Sequence, residues 1–302
     1  MEKINSVSFG KTSSFLALKY PAKYNVFSCV CIDDSKAAPK DPMVLRYAKE
    51  KLNGAFLASA ESEATLRAGM DLEQLLGSRI DWVRGDSFDE VIDRGQKFLP
   101  SWARRYCTVE MKLKPIFRYW FQNFDEKVEM RIGFRACEFS RMERFFNNND
   151  PSVFKMPISQ KVSFATGKAV AGRQKHQDFK WRFCSMPLIR DGITKEHIND
   201  YWKTNGYVGG TLFEERRKVI FPAISNCVGC FHKKVPTLAT MAKTEPEIMA
   251  WFAAQEEKNM GTWLDIKTKY QSIIDGADDL HKETLFEYLY LNESCDSGGC
   301  TD

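Results

Sequence analysis

Apolar positions in the first third of the chain come in short bursts separated by polar, periodic stretches. Residues 4–9 (INSVSF) and 25–33 (NVFSCVCID) are rich in β-branched and apolar side chains, and each is short enough for a buried strand. The stretch 13–20 between them reads as a helix. Residues 41–53 (DPMVLRYAKEKLN) have helical spacing, with Asp41 placed to cap and Pro42 in the first turn. GAFLAS (54–59) predicts a third strand. EMRIGFRA (129–136) predicts a fourth, after a helix over KPIFRYWFQNF (114–124), and FCSMPLI (183–189) a fifth. Strands alternating with helices predict an α/β fold, a Rossmann-like parallel sheet flanked by helices.

Beyond residue 222 the pattern changes. PEIMAWFAAQEEKN (246–259) and HKETLFEYLYLNE (281–293) read as helices, and ESCDSGGCTD ends the chain. The expected division is a nucleotide-binding α/β unit over 1–222 and a helical, cysteine-bearing subdomain over 223–302. Residues 147–182 are polar, basic and weakly periodic, which suits a lid or a long excursion.

Composition narrows the class. The chain has 302 residues, 43% hydrophobic and 28% charged, as in ordinary soluble proteins, and a net charge of +4. That charge permits an anionic ligand without requiring nucleic acid. No apolar run reaches the roughly 18 residues of a membrane span, and no basic-then-apolar leader opens the sequence. The expectation is a cytoplasmic protein with no membrane partner. Nine cysteines point, in a reducing compartment, to metal or redox chemistry rather than a disulfide framework. Cys29, Cys31 and Cys184 sit in apolar runs and read as buried small hydrophobes.

The first loop carries the first candidate chemistry. Ser8, Gly10, Lys11, Thr12, Ser13 and Ser14 lie between the first strand and its helix. Ligands of open parallel sheets bind beyond the carboxyl ends of the strands, where helix N-termini offer unpaired N–H groups. A glycine admits close backbone approach, a lysine adds charge and the hydroxyls add donors. Neither the dinucleotide fingerprint nor the Walker loop has this spacing. A simple serine/threonine helix cap is the structural alternative.

SFGKTSS (8–14) resembles the Ser-Gly-Gly-Lys-Thr/Asp-Ser loop of the PP-loop, or N-type ATP pyrophosphatase, superfamily (HUP-type fold), which includes phosphoadenosine phosphosulfate reductases. Phe9 stands where that loop usually has its first glycine. Thr12 replaces the aspartate with which many ATP-cleaving relatives help to hold magnesium. Three further segments are similar. FLPSWARRYCTVEMKLKPI (98–116) resembles the Arg-Trp/Phe-Cys-Thr…Leu-Lys-x-Lys/Arg-Pro segment, with Arg104, Arg105, Lys112 and Lys114 around Cys107. IGFRACEFSRMER (132–144) resembles the Gly-Ile-Arg-Ala-Asp-Glu element. Arg135 falls on its nucleotide-facing arginine, Glu138 on its glutamate and Cys137 on its aspartate. MPLIRDGITKEHINDYWKTNGY with ISNCVGCFHKK is similar to the Pro-Leu…Gly-Ile-Thr-Lys helix start and the Asn-Cys-Val-Gly-Cys-Phe-x-Lys loop, with Asp191 where tryptophan is common.

Cys227 and Cys230 have C-x-x-C spacing, and four thiolates suit either a [4Fe–4S] cluster or zinc. The resemblance implies Cys107, Cys227, Cys230 and one of Cys295 or Cys300 as ligands, with His232 in reserve. A mobile tail cysteine, Cys300 if Cys295 is a ligand, is the implied nucleophile, with Lys11 and Arg105 assisting.

Three functions follow. The first is a reductase that holds a sulfonucleotide on Ser8–Ser14, with its sulfate among Arg104, Arg105 and Lys112, and a thioredoxin-like donor. The second is an ATP- and magnesium-dependent sulfur-insertion enzyme acting on nucleic acid with iron–sulfur assistance. The third is a nucleotide or redox sensor without turnover.

Overall fold

Alternating side chains along five short strands give the central sheet two apolar faces. In chain order, β1 (Lys3–Val7) leads into α1 (Lys11–Lys19), β2 (Tyr24–Cys29) and the two-residue β3 (Cys31–Ile32). Next come α2 (Pro42–Lys51), β4 (Ala58–Ser59), α3 (Glu63–Leu76), β5 (Ile80–Arg84) and α4 (Phe88–Arg94). A single turn, α5 (Tyr106–Thr108), runs through a π-helical stretch (Val109–Leu113) into α6 (Lys114–Asn123). β6 (Val128–Arg131), α7 (Phe139–Asn148), β7 (Val153–Ser159), β8 (Lys175–Lys180) and β9 (Arg182–Ser185) follow. The remainder is α8 (Pro187–Arg190), α9 (Lys195–Asn205), β10 (Tyr207–Val208), β11 (Arg217–Lys218), α10 (Val235–Thr244), α11 (Pro246–Lys258) and α12 (Tyr270–Asp275). This computed structural model describes residues 1–279 except 96, 103, 149, 160–174, 209–216, 223–226, 260 and 265–266.

The sheet order is β5-β2-β1-β6-β9, with every neighbouring pair parallel. Val7, Phe27, Ile80 and Trp82 face Val44 and Ala48 of α2 and Leu66 and Leu72 of α3. On the other face, Ile4, Val26, Val128 and Met130 meet Ile116, Phe117 and Trp120 of α6. The expected α/β class with a Rossmann-like parallel sheet is therefore present. No helix among the described residues is long and apolar enough to cross a membrane.

Several expected elements keep their place. Asp41 caps α2 by accepting from the Met43 N–H, with Pro42 in the first turn. The 246–259 helix is α11, one residue shorter. Other boundaries move. The 25–33 strand breaks at Val30 into β2 and β3. The expected third strand at 54–59 is a correction: only Ala58 and Ser59 are extended, and they pair antiparallel with Ile32 and Cys31 outside the main sheet. Asn53 and Gly54, at φ 52° and 81°, turn the chain away after α2. The strand beside β2 is instead β5. The 129–136 strand ends at Arg131, and the 183–189 strand at Ser185, where Pro187 starts α8.

Within 147–182 the chain forms the antiparallel pair β7–β8, packed on α6 through Phe154 stacked at 4.2 Å on Phe117. Helices α10–α12 share one apolar cluster with the sheet unit. Leu238, Met249, Phe252, Trp263 and Tyr270 pack with Val30, Ile32, Phe88 and Met111. The expected helix at 281–293 and the tail lie outside the described residues.

Candidate functional site

The carboxyl end of β1 opens into a turn with an unusual backbone. Phe9 has φ 58°, a left-handed conformation that bulky residues rarely adopt. Its ring is fully buried, 4.0 Å from Phe27 and 5.4 Å from Trp82 between ring centres. That anchor turns the next residue so that Gly10, extended at φ −86° and ψ 161°, becomes the N-cap of α1. Gly10 has no side chain with which to cap, and no acidic residue occupies the first turn. The positive end of a nine-residue helix thus faces the carboxyl edge of the sheet.

The hydroxyls divide into two sets. Ser13 Oγ accepts from the Ser8 N–H at 3.0 Å and donates to the Gly10 carbonyl at 3.2 Å, so it closes the loop on itself. Ser13 and Ser14 are buried, and Ser14 Oγ has no hydrogen-bond partner among the described residues. Ser8, Gly10, Lys11 and Thr12 are partly exposed at the mouth. Trp202 of α9 donates from Nε1 to the Lys11 carbonyl at 2.9 Å and fixes this first turn from below.

A second rim follows β6. Gly133 brings that chain against α1, since a Cβ there would lie 3.5 Å from Thr12 Cγ2. Glu138 Oε2 accepts from the Arg135 N–H at 3.0 Å and from Arg135 Nε at 2.9 Å. Its other oxygen accepts from Arg141 at 2.9 Å. Burial pushes the Glu138 carboxyl up, but the Arg135 N–H and the two guanidiniums together hold it below its usual range. Cys137 is exposed beside this cluster.

The third rim is the 98–116 segment. Ser28 of β2 donates to the Met111 carbonyl at 2.8 Å, which ties the segment to the same sheet edge. A Cβ at Gly85, just past β5, would come 2.9 Å from the Glu110 carbonyl. The Arg104 guanidinium lies 4.8 Å from the Phe98 ring centre. Lys112 sends its field toward the buried Glu61, whose carboxyl is pushed up by burial with Lys112 opposing. Arg105 lies close enough to His232 for its charge to help depress that imidazole.

The C-x-x-C loop docks beside this third rim. Val228 N–H donates to the Ala60 carbonyl at 2.7 Å, and Tyr270 Oη to the Gly229 carbonyl at 3.1 Å. Lys233 folds back, donating from Nζ to the Cys227 carbonyl and, at 3.3 Å, to that of Val228. A Cβ at Gly229 would collide with the Phe252 ring at 2.4 Å, so only glycine fits. Cys107 and Cys227 are partly buried, Cys230 is buried, and the first two pack against the cluster that holds α10–α12. His232 is buried with Trp102 edge-on at 4.1 Å, and neither ring nitrogen has a hydrogen-bond partner among the described residues. Burial, then the Arg105 charge, pushes its pKa down to about 4.

No group of three or more His, Cys, Asp or Glu side chains among the described residues is arranged to hold a metal ion. Cys107, Cys227 and Cys230 are thus not such a group among the described residues. Cys295 and Cys300 lie outside the described residues.

The structure therefore brings Ser8–Ser14, the Arg135–Glu138 pair and the Glu110–Lys112 end of the third segment to one edge of one sheet, at the ends of β1, β6 and β2, while Arg104 stays against Phe98 and Arg105 near His232. Arg141 was not among the expected site residues, although its position three residues after Glu138 was a readable signal. Trp202 also belongs to the loop's support. Its partner Lys11 is 191 positions away, and nothing local announces the contact. No protein-family model, curated protein or solved structure matches the chain.

Proposed function

We propose that this sheet edge binds an adenine nucleotide, with a phosphate on the first turn of α1 between Ser8 and Thr12. We further propose that the chain carries out thiol-based sulfur chemistry of the phosphoadenosine phosphosulfate reductase type. The observation that supports this most is the α1 N-terminus. It has no side-chain cap, stands at the carboxyl end of the central strand β1, and has arginine- and lysine-bearing segments on both sides. Such a cradle suits a phosphate with a second oxyanion nearby.

In this reading Lys11 takes the phosphate charge and Arg105, with Arg104 and Lys112, the sulfo group. The Cys300 thiolate attacks the sulfo sulfur. The sulfur–oxygen bond to phosphate breaks, and the nucleotide leaves with the electron pair. A thiolate of a thioredoxin-like donor then attacks Cys300 Sγ, and sulfite leaves. An assay of sulfite release from phosphoadenosine phosphosulfate, with a dithiol donor, tests this directly. Sulfite formation that Cys300→Ser abolishes is expected. Release of AMP or pyrophosphate from ATP and magnesium, without sulfite, would overturn it.

A further inference from the structure

Beneath the nucleotide edge lies a thiol pair that the reading above does not use. Cys29 ends β2 and Cys31 begins β3, with Val30 alone between them. Both side chains are buried, and Cys31 Sγ points at Cys29 Sγ across 3.8 Å. Two residues apart on extended chain, they share one face. Cys29 Sγ in turn faces Ser59 Oγ at 3.7 Å, and Ser59 Oγ donates to Glu61 Oε2 at 3.1 Å. Thiol, thiol, hydroxyl and carboxyl thus form a continuous buried chain, two residues from the exposed Asp33.

We infer that Cys29 and Cys31 are a site of reversible covalent oxidation, closing to an intramolecular disulfide with hydrogen peroxide as oxidant. The Cys29 proton passes along Ser59 to Glu61. The Cys29 sulfur attacks a peroxide oxygen, the O–O bond breaks, and the released hydroxide takes the proton from Glu61 as water. Cys31 Sγ then attacks the Cys29 sulfenic sulfur. The S–S bond forms, the S–O bond breaks, and the hydroxyl leaves as water with the Cys31 proton. The two sulfurs lose two electrons and the peroxide gains them. The Cys31 contact, then burial, hold the Cys29 thiol well above its usual pKa, so the reaction is slow without the relay.

The backbone of Val30 gives the event a route outward. The Val30 carbonyl accepts from the Ala60 N–H at 2.9 Å, and the Ala60 carbonyl accepts from Val228 of the C-x-x-C loop. Drawing the two sulfurs together moves Val30, which holds the inner end of this path.

Trypsin cleavage after Lys23 and Lys36 isolates the peptide YNVFSCVCIDDSK (24–36), whose two cysteines are this pair. The folded protein is treated with hydrogen peroxide, alkylated in denaturant and mapped by mass spectrometry. Peptide 24–36 is expected unalkylated and lighter than its reduced form by about 2 Da, the mass of two hydrogens, and to recover on reduction. Ser59→Ala is expected to slow this loss at least about tenfold. Full alkylation of both cysteines after peroxide, or a lasting sulfinic acid on one beside a free thiol on the other, would overturn the inference. The result is independent of nucleotide binding, so either reading can fail alone.

Discussion

The ring of Phe9 rests on the bare backbone of Gly69, where a Cβ would come within 2.6 Å of the ring. The ring cannot retreat, because Phe27 and Trp82 hold it from the other side. Gly69→Ala is expected to cost about 1–3 kcal/mol by overpacking. Phe9→Ala leaves a cavity and keeps the left-handed backbone, a loss of about 3–5 kcal/mol. Phe9→Gly leaves the same cavity but relieves the backbone by roughly 1 kcal/mol. Urea denaturation of the three variants checks this order. Phe9→Gly less stable than Phe9→Ala would contradict the strained loop.

Acid should loosen the C-x-x-C region through His232. Its pKa is pushed down to about 4 by burial and by Arg105. As pH falls below about 6.5, the unfolded imidazole takes a proton that the folded one refuses until about 4. Stability is therefore full above 6.5 and is lost progressively between 6.5 and 4. His232→Leu is expected to flatten that decline in denaturation midpoints measured across this range. An unchanged slope would place the acid sensitivity elsewhere.

Glu245 acts in the opposite sense. Burial first, then the neighbouring Glu63 and Glu247 charges, push its pKa up to about 7, with Lys40 opposing. A raised carboxyl favours the folded state below its unfolded pKa, and that contribution is lost as pH rises through 7. Glu245→Gln is expected to equalise stability between pH 5.5 and 8 relative to wild type. If wild type and variant keep parallel profiles, the burial of this carboxyl is not what sets them.

Much of the sheet was legible in the sequence because the buried strands carry dense apolar runs, as at Val26 to Cys29. β5 was not, since Ile80, Trp82 and Val83 are interrupted by Asp81 and flanked by arginines. The apolar run at Phe56 and Leu57 drew the third strand to the wrong place, because the turn at Asn53 and Gly54 reads as an ordinary helix exit. At the site, the hydroxyls, glycine and lysine of the first loop were visible as composition. The inward role of Ser13 was not, because it depends on a left-handed Phe9 that no local pattern demands. The pairing of Trp202 with Lys11, and of Cys29 with Ser59, is a product of tertiary packing alone.

The anion cradle is tested most directly by Gly10→Asp. The Gly10 backbone is already extended, as an N-cap requires, so aspartate supplies the missing cap and stabilises α1 by a few tenths of a kcal/mol. The same carboxylate occupies the donors and repels an anion. Isothermal titration of adenosine 3′,5′-bisphosphate into wild type should show binding, weakened at least about tenfold in Gly10→Asp with no loss of Tm. Equal affinity in the two proteins, or no binding to wild type, would contradict a phosphate at this helix end.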